Sequence, residues 1–495
     1  MRRIQILLLI AAAAAPLPAA DPAEDGADQN ATGHHDPKMS PDAKKVKHDP
    51  SLFGPDPSYE DKPYDPDAQL DIYGSKYLNT TQRPLLEWGR ELYQFGPFRD
   101  TPDWFGPRNP AQPQLLVYGD YRTAVAYNDN GAAEQARWAH RLNLEVDLRL
   151  TATERVHAFF RPFDQNGNFT RVDFGGENHN AQSEFDADPD ALFFEGEIGT
   201  ILGGTGTQLD IPFAAGLMPL LFQNGVWMED AFTGLAFTIP AQNSPAWDIS
   251  NMDLTFFVGL DDITTPAFAG DDHGARFYGI ATFLEANEGY WEIDYAYVQD
   301  KRNLGRGYHN ASIAFTRRYG GWLNNSVRLV TNFGQDPVAG PQTADGQMIL
   351  IENSFVTPKP LTVVPYLNFF AGFDRPQSLA RDAGAGGILK NTGILFESDG
   401  LTGYPTLDAT GQQAWGLAAG INVIGDHFED QLVFEAAMVK PHDTGAIAAG
   451  HQFGLGVRYQ KPINHAMILR ADAMVGFLDN AENLSGVRLE FRWKF

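Results

Sequence analysis

Gly486-Val487-Arg488-Leu489-Glu490-Phe491-Arg492-Trp493-Lys494-Phe495 is the stretch that decides the fold. Val487, Leu489, Phe491, Trp493 and Phe495 are apolar, and Arg488, Glu490, Arg492 and Lys494 between them are all charged. A β-strand sends successive side chains to opposite faces. Folded as a strand, the segment has one apolar face and one ionic face. An edge strand of a soluble sandwich could carry such a pattern. A transmembrane barrel requires it, with lipid outside and water inside.

The alternation recurs upstream. Leu142, Leu144, Val146, Leu148 and Leu150 interleave with Arg141, Asn143, Glu145, Asp147 and Arg149, and Trp291, Ile293 and Tyr295 with Glu292 and Asp294. Similar runs read as eighteen strands, from 114–128 to 483–495, with sixteen as the alternative count. Strands 154–164, 209–223 and 362–374 are the weakest, because Pro162, Pro212, Pro219 and Pro365 interrupt a ladder. The two long connections, 165–189 and 375–411, fall on the same parity. A barrel whose long loops share one rim has that parity, and a sandwich has no reason for it. The expected fold is all-β, a transmembrane antiparallel barrel over 113–495 with both ends on the periplasmic side.

Met1-Arg2-Arg3, the apolar run Ile4–Ala15 and small residues to Ala20 have the layout of a cleaved secretory leader, 1–20. There is no Cys among the 495 residues, which excludes disulfides and thiolate chemistry. Acids number 63 against 37 basic residues. So acidic a chain lacks the clustered cations that nucleic-acid binding needs. Residues 21–112 hold 13 of the 32 prolines and read as an extended periplasmic arm or plug. Within it, Leu85, Leu86, Trp88, Leu92 and Tyr93 have helical spacing after Pro84, which predicts a short helix near 84–95.

The leader, the alternating strands and the aromatic segment Arg488–Phe495 together resemble the bacterial outer-membrane porin class. Eighteen strands with arginines interleaved among carboxylates are similar to alginate-export-type barrels. So is the strand–turn–strand Phe213–Ile239, with Gly225 and Glu229-Asp230 at its tip. The resemblance implies a cell outer-membrane location, insertion by the barrel-assembly machinery that reads a terminal Phe, and contact with outer-membrane lipid.

Alternation also says which charges face the lumen. On the first three strands and the last three, Arg122, Arg141, Arg149, Arg161, Arg458, Arg470, Arg488, Arg492 and Lys494 point inward. Barrel closure makes those six strands one continuous basic wall. Glu195, Glu197, Asp253, Glu292, Asp294, Glu352 and Asp374 form an expected acidic side opposite. Such a field orients dipolar solutes and repels apolar ones. The expected function is a porin-like channel for polar or charged solutes, with a small polar or anionic solute as ligand. The alternative is a sleeve or scaffold for a periplasmic partner in an export or electron-transfer complex. A homo-oligomer fits either.

The sequence contains no G-x-S-x-G, phosphate loop or metal-spaced His pair, so no enzyme, cofactor or metal is expected and a hydrolase ranks last. Asp164, Asn166 and Asn168 have calcium-loop spacing, but Gly175 stands where the closing Glu belongs. Loop 375–411 carries Ile388, Leu389, Ile394, Leu395 and Phe396, and is expected to fold into the lumen or against a neighbouring subunit.

Overall fold

The computed structural model describes residues 83–89, 102 and 109–495, apart from 132, 166, 176–178, 203–209, 360–361, 399, 426–429 and 444. The chain divides into two units, Met1–Leu78 and Asn79–Phe495, and the description concerns the second. The leader 1–20 and most of the arm lie outside the described residues.

Eighteen antiparallel strands close into a barrel. In chain order they are β1 Gln114–Asp129, β2 Glu134–Arg149, β3 Arg155–Phe160, β4 Pro189–Glu197, β5 Pro212–Phe222 and β6 Met228–Ser244. Next come β7 Ile249–Asp261, β8 Ala275–Ala286, β9 Gly289–Asp300, β10 Tyr308–Tyr319, β11 Leu323–Phe333 and β12 Asp345–Phe355. The last six are β13 Val363–Arg375, β14 Ala414–Ile424, β15 Gln431–Pro441, β16 Gln452–Pro462, β17 Met467–Leu478 and β18 Leu484–Lys494. Closure is the antiparallel pairing of β1 with β18, in register from Asp120–Lys494 to Asp129–Ser485. One rim carries the start of β1 and the end of β18. Asn287 and Glu288, both at positive φ (56° and 58°), make the tight turn between β8 and β9 on that rim. The two long connections, 161–188 and 376–413, share the far rim.

Side-chain exposure follows the alternation read from the sequence. On β18, Val487 and Leu489 are 60% and 52% exposed, whereas Arg488 and Glu490 are 2% and 5%. The outward row continues through Val475, Phe477, Phe453, Leu455, Phe434, Leu329, Ile293 and Tyr295. A closed barrel with an apolar outer band and a polar inner face satisfies its backbone hydrogen bonds internally, as a bilayer demands.

The prolines sit where the ladder can spare a donor. Pro212 opens β5, and Pro219 lies past Leu217, the last β5 residue paired with β4. Pro365 lies past Tyr366, the last β13 residue paired with β12. Pro162 has a larger effect, since β3 stops at Phe160. A returning segment, Asn168–Asp173, then pairs with Arg137–His140 and completes the wall beside β2.

The helix expected near 84–95 is corrected within the described residues. Leu86–Gly89 is a strand, antiparallel to β1 from Val117 to Gln114. β1 extends past the end of β18, where Phe495 still exchanges backbone hydrogen bonds with Gly119. An open edge is thus left, and Leu86–Gly89 covers it. Glu87 lies under Arg83, and Leu86 and Trp88 point outward, which is the period of a strand.

Both inward-folded connections at the far rim are packed. The turn after β5 reaches across the lumen, where Trp227 is fully buried and donates to Asn310 of β10 (2.7 Å). Met228–Glu229 forms a two-residue parallel ladder with Ala380–Arg381 of the long loop. Leu389, Leu395, Phe396 and Leu407 of that loop join Trp227, Phe232, Phe257, Phe277 and Phe370 in one buried cluster. Of the two places open to loop 375–411, the structure shows the lumen.

Candidate functional site: an arginine wall facing a folded-in loop

β16, β17 and β18 each turn cations into the lumen, and register decides which of them meet. Arg458 of β16 is paired with Asp472 of β17, and Asp472 with Arg488 of β18. The buried Asp472 carboxylate therefore receives three guanidiniums, from Arg458 (2.7 Å), Arg470 (2.8 Å) and Arg488 (2.8 Å). Across the closing seam, Arg122 of β1 bonds Glu490 (2.6 Å), and Arg492 bonds Asp120 (2.7 Å). Charge-assisted pairs of this kind fix a guanidinium in place.

The long loop adds a second carboxylate. Glu397 reaches Arg458 (2.6 Å) and Arg470 (3.3 Å). Burial pushes its carboxyl up, yet Arg458 and Arg470 outweigh this and hold it below the usual carboxylate range. Tyr404 lies under the Arg488 guanidinium, 4.9 Å from carbon to ring centre. Glu435 of β15 accepts from the backbone N–H groups of Ile394 and Leu395, both at 2.9 Å. Small residues on the wall make this approach feasible. A Cβ on Gly456 would stand 3.0 Å from the Leu395 side chain, and one on Gly486 2.8 Å from Pro405.

The other expected basic residues are spread along the wall. Arg141 donates to Asn143 and lies over Phe169 of the 161–188 loop at 5.8 Å. Arg161 bonds Asp190 and Asp164. Arg149 and Lys494 border a cavity of about 480 Å³ at the terminal rim, with Arg83, Arg155, Arg492, Glu145 and Asp147.

The expected acidic residues are each engaged by local partners. Asp294 is buried beneath Gln223, which donates to it at 2.7 Å. Glu352 is paired with Arg328 (2.8 Å), and Glu195 with Arg155. Asp253 accepts from the Ala241 N–H (2.7 Å). Glu292 sits inward on β9, within the electrostatic reach of Arg328. Two placements are corrected. Glu197 caps the helix Ile198–Ile201, accepting from Gly199 and Thr200, because β4 ends there. Asp374, at positive φ (57°), is on the far rim and accepts from Gln413 (2.8 Å).

Several lumenal residues escaped the sequence reading. Glu397 and Tyr404 lie in a loop, where alternation says nothing about facing. His157, bonded to Glu145 and Asp147 at 2.8 Å each, alternates correctly with Arg155 on β3, so periodicity could have placed it. Among the described residues one group could hold a metal, Asp261, Asp262 and His273, but Lys301 already occupies Asp261 (3.0 Å).

No family description matches the sequence, and no curated protein matches it by sequence. Solved structures do match the fold. A BenF-like porin from Pseudomonas fluorescens Pf-5 aligns with TM-score 0.51 at 13% identity, covering 77% of this chain and 98% of that one. Pseudomonas aeruginosa OccK7 (OpdD) aligns with TM-score 0.51 at 10% identity, over 77% and 98%. OccK11 (OpdR) of the same organism aligns with TM-score 0.50 at 10% identity, over 77% and 96%. The fold is that of the outer-membrane porins. None of these three is an alginate-export-type barrel, and that narrower likeness has no support.

Proposed function

We propose that the chain is an outer-membrane channel for small polar solutes, and that anionic groups travel along the arginine wall. The apolar outer band supports a bilayer location, and the porin fold makes the outer membrane the fitting one. The observation that carries the reading is the cluster around Asp472. Three arginines share one buried carboxylate, so the wall keeps a local positive excess in spite of the acidic total charge. Rigidly held guanidiniums accept a carboxylate in a two-point geometry and release it to the next.

Part of the lumen is filled by Trp227, Phe232, Phe257 and Phe277 together with Leu389, Leu395, Phe396 and Leu407 of the long loop. That filling narrows the lumen, which favours small solutes over a sleeve around a protein partner. Swelling of proteoliposomes tests the reading. Entry of gluconate faster than entry of a neutral sugar of equal size supports it. Swelling with neither solute would overturn it.

A further inference from the structure

Two carboxylates meet the same arginines, and they are held very differently. Asp472 is on the barrel wall, 3% exposed, and bonded by Arg458, Arg470 and Arg488. It is their permanent counter-ion. Glu397 comes from a loop and is 31% exposed. It bridges Arg458 and Arg470 on their open side, one oxygen to each (2.6 and 3.3 Å). A free carboxylate would bind that pair in the same way, because both guanidiniums offer N–H donors to a two-oxygen acceptor. Three cations against Asp472 alone leave an excess of positive charge, which Glu397 reduces.

The loop around Glu397 is tied down at both sides. On one side Arg381 and Lys390 both bond Glu229 at 2.8 Å, and Asn368 holds the Thr392 carbonyl (2.6 Å). On the other, Asn128 donates to the Thr402 carbonyl (3.0 Å) and Leu407 donates to Leu395 (2.9 Å). The Glu397 side chain is thus presented at high effective concentration from a short tethered segment.

On the channel reading above, we propose that Glu397 is a tethered competitor. It occupies the Arg458–Arg470 carboxylate site of the empty channel, and the carboxylate of an entering solute displaces it. Displacement frees the turn around Glu397 from Arg458 and Arg470 and widens the passage beside it, while Glu435 keeps Ile394 and Leu395 in place. The site therefore takes monoanionic carboxylates, and neutral solutes of the same size leave the loop in place.

The test compares wild type with Glu397→Gln, using acetate as the probe and chloride-free salt. Both proteins are first checked for barrel folding by heat-dependent gel mobility. The acetate concentration that half-modulates the single-channel current is expected to fall at least about tenfold in E397Q, since an intramolecular competitor at millimolar effective concentration is removed. Equal half-effect concentrations in the two proteins would overturn the proposal. Hydrogen exchange of the amides in the turn around Glu397 in wild type supplies a second measurement that needs no conductance. Acetate should accelerate it and a neutral sugar should not; an unchanged rate with acetate refutes the displacement. If neither protein conducts but acetate still loosens that turn, the carboxylate site stands and the channel reading fails.

Discussion

Arg122 of β1 and Glu490 of β18 meet 2.6 Å apart across the strand pair that closes the barrel. Residues 368 positions apart in the chain thereby become neighbours on one lumenal face. Glu490 is nearly buried, so removing its arginine leaves a carboxylate with poor solvation. Arg122→Ala is expected to cost several kcal/mol, on the order of 2–4 given that Arg122 is partly exposed. Arg122→Gln combined with Glu490→Gln should cost less than the single alanine change. Denaturant titration in detergent, followed by gel mobility, checks the order.

Gly119 exchanges backbone hydrogen bonds with Phe495, and a Cβ there would lie 2.0 Å from the Asn143 carbonyl oxygen. Gly119→Val should therefore block the pairing of β1 with its neighbours. Loss of the heat-modifiable folded band in refolding assays is the expected outcome.

Gly456 gives Leu395 its seat on the wall. Gly456→Leu should push the loop inward from β16 while the outward face of the barrel stays unchanged. The expected reading is a folded protein whose single-channel conductance differs from wild type and whose 393–404 amides exchange faster.

The Glu397 carboxyl titrates below its ordinary range because Arg458 and Arg470 favour its charged form against the effect of burial. A lowered pKa stabilises the contact fully above the ordinary Glu value of about 4.3. That stabilisation is lost as pH falls through the lowered value. Acidification through that lowered value should release the turn around Glu397, seen as lower protection factors there, corrected for the pH dependence of intrinsic exchange, which E397Q already shows at neutral pH.

The strands were legible because a half-exposed barrel forces a period of two on every segment. Arg488, Glu490 and Arg492 could be placed inward from spacing alone, and closure followed from strand number. The acidic side was not legible. Glu197 and Asp374 obey the same period, but each lies at a strand end where the chain leaves the wall. Asp294 does face inward, yet Gln223 and Trp227 from a far-rim turn cover it, and no local pattern announces that. Glu397 was hidden for the same reason. Its role depends on where a 376–413 loop comes to rest, which is set by glycines on strands remote in sequence. Leu86–Gly89 misled because Leu85, Leu86 and Trp88 fit a helix as well as a strand, and the open edge of β1 decided between them.

Ion selectivity tests the central claim most directly. The reversal potential of the reconstituted barrel across a salt gradient should show a preference for anions. Replacing Arg141, Arg458 and Arg470 together by Gln should move it toward cations. A potential that is cation-selective from the start, or unchanged by the three substitutions, would contradict passage along the arginine wall.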